Sequence, residues 1–251
     1  MYAIRVPIGE YSSILQKVYL EMTTNQPNVS VIIPAFNCEQ FVGQAIDSVL
    51  AQTSPPSQLI VVDDGSTDGT SGVVRSFGAK IDYLYQQNAG IGAAVNFGLA
   101  RAQGDVLAFL DADDLWMPEK LMRQLTEMLQ HPDLDMIFAH MEQFHNGFNA
   151  EQVSDHESRK IIPGYCKGTM VIKKSSFLSV GSFESKRVLG DFIDWYARAS
   201  EIGLKSMLLP DVLLRRRIHG GNTVIREHNS SADYVRILKE SLDRRRKKTV
   251  Q

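Results

Sequence analysis

The sequence predicts an α/β fold: one domain with a mostly parallel sheet flanked by helices, extended by helical segments at both ends. Three observations predict it. Short apolar runs alternate with segments of helical periodicity along the chain. The runs are continuous rather than alternating, as expected of strands covered on both faces. Two of them end in acidic clusters, and ligands of open α/β sheets bind beyond the carboxyl ends of the strands. A chain of 251 residues is long enough for one such domain with a sizeable core.

The elements follow in order. Residues 1–28 precede the first convincing strand; Ile14, Leu15, Val18 and Tyr19 recur at helical spacing there, so a short amphipathic helix and a polar linker are expected. Residues 29–33 form an apolar run stopped by Pro34. Phe41, Val42, Ala45, Ile46, Val49 and Leu50 then follow helical spacing, with Asn37 placed as N-cap and Gln40 completing a capping box. Strands are expected at 59–62, 81–85 and 106–110, with a helix over about 92–102 between the last two. Pro118 marks a helix start, where its missing N–H costs nothing. Leu121, Met122, Leu125, Met128 and Leu129 continue that helix. Residues 141–166 read as a long polar surface loop. A core domain over 29–225 and a C-terminal helix with a basic tail over 226–251 complete the organisation.

Composition excludes several classes. The net charge of −2 gives no basic field for nucleic acid. No apolar run approaches the ~18 residues of a spanning helix. The first residues lack the pattern of a secretory signal. Two cysteines, Cys38 and Cys166, do not make a disulfide framework, and a cytoplasmic setting is expected. Cys38 reads as a small buried thiol, and His140, His145 and His156 lack ligand spacing. The basic run at 244–248 predicts at most a weak, salt-sensitive contact with the inner face of a membrane.

The acidic clusters carry the chemistry. Asp63 and Asp64 close one strand; Asp111, Asp113 and Asp114 close another, on the same rim. Carboxylates converging on one edge repel one another unless a cation lies among them. Mg²⁺ takes one or two carboxylates and completes its shell with phosphate oxygens and water. A metal-held diphosphate substrate explains the pattern economically; solvated turns explain either cluster alone.

Four segments resemble family 2 glycosyltransferases: Val29-Ser-Val-Ile-Ile-Pro-Ala-Phe-Asn37, Val61-Val-Asp-Asp-Gly-Ser-Thr-Asp-Gly-Thr70, Asn88-Ala-Gly-Ile-Gly-Ala-Ala-Val-Asn96, and Phe109-Leu-Asp-Ala-Asp-Asp-Leu-Trp-Met-Pro118. They stand in the family's order, and the resemblance covers about residues 29–225. It implies a GT-A fold, a nucleotide-sugar donor (most often of uridine), Mg²⁺ or Mn²⁺, and inversion at the anomeric carbon. It implies that Pro34, Ala35 and Asn37 line the nucleoside pocket and that Asn88 and Gly90 also bind the nucleotide sugar. Asp63 or Asp64 would contact the base, and Asp111 the ribose or the metal. Asp113 would be the direct metal ligand, with Asp114 supporting them or facing the sugar. The family commonly carries Arg where this chain has Val95.

Two later segments extend the resemblance. Gly190-Asp-Phe-Ile-Asp-Trp-Tyr-Ala-Arg198 is similar to the family's acidic segment, although Gly190 stands where Glu is usual. Asp191 and Asp194 therefore compete for the role of general base, and the resemblance favours Asp191, four residues before Trp195 as the family's spacing implies, with Phe192 and Trp195 as helix anchors or an acceptor platform. Arg215-Arg-Arg-Ile-His219 resembles the family's R-x-H segment, which implies Arg217 on the diphosphate and His219 on the metal or a phosphate. The acceptor is an unspecified hydroxyl on a glycan, lipid carrier, peptide or small molecule. Three other readings are weaker. A dinucleotide-binding turn at Gly90-Ile91-Gly92 would need its third glycine at Val95. A nucleotidyltransferase would need basic residues over 34–40, where there are none. A non-catalytic sugar-binding relative does not need Asp111-Ala112-Asp113 intact.

Overall fold

Four strands, β1 (Val29–Ala35), β2 (Gln58–Asp63), β3 (Asp82–Tyr85) and β4 (Val106–Phe109), run parallel in the order β3-β2-β1-β4. The computed structural model describes residues 27–145, 160–185, 190–220 and 231–249. Helices α1 (Val42–Leu50), α2 (Thr70–Arg75) and α3 (Ile91–Leu99) connect these strands. The continuous apolar runs have a simple cause. Val31, Ile33 and Val61 pack with α1 and α2 on one face, whereas Ile32, Ile60 and Val62 pack with α3 on the other. Both parities of each strand are buried, so alternation disappears.

The second half of the sheet is mixed. Helix α4 (Lys120–Gln130) follows the two-residue strand β5 (Leu115–Trp116). Strand β6 (Met136–His145) pairs antiparallel with β7 (Lys160–Gly164) and β8 (Val171–Lys173), and β8 pairs antiparallel with β4. Helices α5 (Lys174–Val180) and α6 (Asp191–Glu201) precede β9 (Ser206–Ile218), which runs parallel to β6 and antiparallel to β5. Helix α7 (Ser231–Thr249) packs on α6 through Ser241 and Arg244, both bonded to Glu201. Among the described residues, no helix is long and apolar enough to cross a membrane. The amphipathic helix expected around Ile14–Tyr19 lies outside the described residues, as does His156.

Four expectations are corrected. Strand β1 continues through Pro34. The Ile32 carbonyl accepts from Leu110 N on the β4 side, so Pro34, two residues on, turns its nitrogen to the same side. The β1–β4 ladder ends at Ile32 and Phe109, and no hydrogen bond is lost there. Asn37 does not cap α1: Phe41 holds the N-cap position, without a side-chain cap bond. The Asn37 side chain instead accepts from Thr67 N at 2.8 Å. Residues 141–145 and 160–164 are strands rather than loop. Polar partners such as Arg215 and Glu142, 2.6 Å apart, hide them from an apolar-run search. The helix after Pro118 begins at Lys120, so Pro118 lies in the preceding turn.

Lys120 supplies a test of the packing. It is fully buried, donates to Gln124 Oε1 at 2.7 Å and lies 4.3 Å from the centre of the Trp116 ring. Burial lowers its pKa to about 7. An unfolded lysine titrates near ~10.4. Between these values the unfolded chain holds a proton that the folded chain has released, so stability rises with pH across that window. Lys120→Met is expected to abolish the component of the rise that Lys120 causes. Urea unfolding of both proteins at about pH 7, 8.5 and 10 checks this. Identical pH dependence in the two would show that Lys120 stays charged in the folded state.

Candidate functional site

The rim beyond β1, β2 and β3 is knitted by the first acidic pair. Asp63 is fully buried; its Oδ1 accepts from Ser66 N at 2.9 Å and its Oδ2 from the Tyr83 hydroxyl at 2.8 Å. Burial, and then the bond to Asp63, raise the Tyr83 pKa. Asp64 is 3% exposed and organises the next loop. Its Oδ1 accepts from Gln86 Nε2 at 2.7 Å and Ala89 N at 2.9 Å, and its Oδ2 from Gly90 N at 2.9 Å. Gly65, at φ 76°, lets Asn88 approach so closely that a Cβ would stand 2.7 Å from Asn88 N. Asn37, at φ 47°, ties the β1 loop to the β2 loop through Ser66 and Thr67. The buried Pro34 and Ala35 and the exposed Phe36, Asn37 and Asn88 thus lie on loops at one rim of the sheet, and the two aspartates hold those loops together.

The second acidic cluster meets the end of β9. Asp113 Oδ2 lies 3.0 Å from His219 Nε2, and the imidazole packs against Phe41 with ring centres 4.7 Å apart. Asp114 is 5% exposed and accepts from Arg217 N at 2.8 Å, which seats β9 against the loop. Burial raises the Asp114 pKa well above the usual carboxylate range, and the Asp113 and Asp111 charges add to that. Burial likewise raises that of Asp111; Lys167 opposes the rise, while Asp113 and Asp191 reinforce it. The site therefore concentrates negative charge in a desolvated corner, which is the environment a cation relieves.

Arg217 lies elsewhere than the resemblance implies. It is 2% exposed, with its guanidinium 4.9 Å from the Phe41 ring centre and 4.8 Å from that of Phe144. It donates to the Asp113 carbonyl at 2.8 Å and to Gln44 Oε1 at 2.7 Å. Its planar fork thus locks the acidic loop from behind. Strand parity puts its neighbour Arg216 on the other face, where its charge partly opposes the rise at both Asp111 and Asp114. Arg216 is a cation of the site that the sequence reading missed. Three consecutive arginines conceal which one faces the cleft until the strand register is known.

Helix α6 separates the two candidate bases. Gly190 stands at φ 81° before it, a conformation that a glutamate would adopt only with strain. Asp191, the first helical residue, accepts from Lys167 Nζ at 2.7 Å in a buried pair. Its charge is felt at Asp111. Asp194 instead pairs with Arg198 at 3.0 Å and Arg244 at 3.5 Å. Those groups line a polar cavity of about 510 Å³ with Asn96, Ser182, Glu184 and Glu240. Asp194 therefore anchors α6 to α7. Trp195 is fully buried, stacks on Phe177 with ring centres 5.0 Å apart and donates to the Gly181 carbonyl at 2.8 Å, so it is an anchor rather than an acceptor platform. Lys167 is the second residue the sequence reading missed, because nothing local marks a lone lysine in a short turn as the partner of Asp191.

Other expectations are also located. Val95, where an arginine is common, is buried against α3's neighbours in the core, and Asn96 exchanges two hydrogen bonds with the Phe183 backbone. Burial pushes the Cys38 thiol up to about 12, as for an inert buried thiol. His140 Nδ1 bonds the Leu209 carbonyl at 2.8 Å. The basic run begins inside α7, where Arg244 turns inward to Glu201 and Asp194 rather than outward.

Asp113 and His219 were the donor pair to test for a cation. Among the described residues, no group of three His, Cys, Asp or Glu side chains is arranged to hold a metal. One carboxylate and one imidazole in contact suit a divalent ion that draws the rest of its shell from diphosphate and water. The residues present fit a substrate-completed site, not a closed protein cage.

Comparison with known proteins gives a consistent result. The family described as Glycosyl transferase family 2 matches residues 30–185. An uncharacterized glycosyltransferase of Rickettsia prowazekii is 30% identical over 224 residues, covering 83% of this chain and 69% of that protein. The putative teichuronic acid biosynthesis glycosyltransferase TuaG of Bacillus subtilis is 43% identical over 115 residues, 43% of this chain and 45% of that protein. The crystal structure of S. aureus TarS residues 1–349 in complex with UDP-GlcNAc superposes with a TM-score of 0.64 at 22% identity, covering 78% of this chain and 60% of that one. The sheet and its helices thus have the GT-A architecture of that glycosyltransferase.

Proposed function

Since the chain belongs to glycosyl transferase family 2 and is a glycosyltransferase, we propose that it moves a sugar from a uridine diphosphate sugar to an acceptor hydroxyl, with inversion and with help from Mg²⁺ or Mn²⁺. One observation supports the reading: Asp113, paired with His219, and Asp191, paired with Lys167, both act electrostatically on the buried Asp111. The UDP-GlcNAc complex of TarS supports a nucleotide-sugar donor. The two thiols, Cys38 and Cys166, are unpaired, which suits a cytoplasmic reaction.

The residues divide the work. The rim at Phe36, Asn37 and Asn88 receives the nucleoside, and Asp63 and Asp64 keep its loops in place. Asp113 and His219 would hold the cation, which when bound supplies positive charge to the departing diphosphate. Arg216 adds a second positive charge on that side. Asp191 accepts the acceptor's proton as the new C–O bond forms at the anomeric carbon. The bond from that carbon to the diphosphate oxygen breaks, and its electron pair leaves with the nucleoside diphosphate. Lys167, bonded to Asp191 Oδ2, holds the carboxylate in position before transfer.

Donor binding is the direct test. UDP with Mn²⁺ is expected to raise the melting temperature more than ADP or GDP with Mn²⁺, as ligand linkage requires. Equal shifts from all three diphosphates would remove the uridine assignment, and no shift from any would remove the nucleotide reading.

A further inference from the structure

Helix α7 has two faces of opposite use. Ile237 and Ser241 are buried, and Arg244 reaches Glu201, so this side packs on α6. At about 100° per residue, Val235, Leu238 and Leu242 fall together on the opposite side, where they are 69%, 62% and 45% exposed. Three large aliphatic side chains thus form one stripe in solvent. Lys239 and Arg246 border the stripe along one edge and Arg245 along the other, and all three are exposed. Asp243 is the one acid on this face among the described residues; Glu240 lies to the side, paired with Arg236 at 3.0 Å.

We infer that this outward face of α7 docks on an anionic lipid surface. An apolar stripe bordered by cations on both edges is the pattern of a helix lying in the plane of the headgroups, with the aliphatic side chains below and the basic heads above. Long basic side chains on the borders can extend to the phosphates while the stripe enters the acyl boundary. The chain's net charge is −2, so the basic face is a local feature that orients the molecule rather than a general attraction. A second copy is a poorer occupant. Two-fold pairing of identical faces would set Lys239, Arg245 and Arg246 against their own copies with few acids to offset them. The docking surface is therefore the helix face from Val235 to Arg246, which shares Arg245 and Arg246 with the basic run but leaves out Arg244, which points inward. It does not depend on the donor or the base assignment.

The test uses the whole chain and vesicles of phosphatidylcholine, alone or with phosphatidylglycerol, with partition read by flotation. Binding is expected with phosphatidylglycerol at low salt, weaker at physiological salt, and slight on phosphatidylcholine alone. Lys239→Gln/Arg246→Gln is expected to weaken binding about thirtyfold at low salt, and Leu238→Gln/Leu242→Gln by roughly tenfold or more. These side chains are exposed, so both variants should keep the wild-type melting temperature and UDP-induced shift, measured on the same samples. Failure of the wild type to bind phosphatidylglycerol vesicles overturns the proposal. So does equal binding by the wild type and both variants, or a dimer in sedimentation equilibrium that Leu238→Gln/Leu242→Gln dissolves.

Discussion

Asp191→Asn is expected to lower kcat by about 10²- to 10⁴-fold, the usual contribution of a general base, while leaving donor affinity within a few-fold of wild type. The amide still accepts from Lys167 and fills the same volume, but it cannot take the acceptor's proton. A matched loss in kcat and kcat/KM is the signature of an interaction made in the transition state. Asp194→Asn provides the contrast. Its carboxylate is held between Arg198 and Arg244. That variant should keep most of its turnover and show its loss in thermal stability. Normal turnover in Asp191→Asn would send the base assignment elsewhere, and a dead but stably folded Asp194→Asn would move it along the helix.

Removal of the cation pair is expected to have the second large effect. Asp113→Ala leaves His219 as the lone donor of the pair and should lower kcat by about 10²-fold or more, on the scale of losing one electrostatic stabiliser of the leaving group. Chelation of the wild type with EDTA should abolish transfer, and added Mn²⁺ or Mg²⁺ should restore it. His219→Ala keeps the carboxylate and should raise the Mn²⁺ concentration needed for half-maximal activity. Binding of Mn²⁺ followed by water-proton relaxation gives a readout independent of turnover. Full activity of Asp113→Ala in EDTA would mean that the leaving diphosphate is stabilised without a metal.

Much of the site was legible because it is local. Asp63 and Asp64 follow β2 directly, Asp111 to Asp114 follow β4, and strands of one parallel sheet deliver their ends to one rim. What those groups do there was less legible. Asp63 and Asp64 spend their oxygens on Ser66, Tyr83, Gln86, Ala89 and Gly90, all brought close by chain reversal. The β6–β9 pairing escaped notice because it is half polar, and its arginines find Glu142 and Asp114 only across strands.

By itself the sequence determined the order of the apolar strands, their burial on both faces and the rim that gathers the carboxylates. Each of these follows from local composition and from the geometry of βα units. Only the tertiary structure showed how the surroundings of Asp191 differ from those of Asp194, and those of Arg216 from those of Arg217. Three residues along a helix or one along a strand is a difference of direction, and its meaning depends on what lies opposite. Lys167 lies opposite Asp191, two arginines lie opposite Asp194, and two aromatic rings enclose Arg217. Those neighbours come from distant parts of the chain, so their charge and burial enter the argument only once the chain has folded.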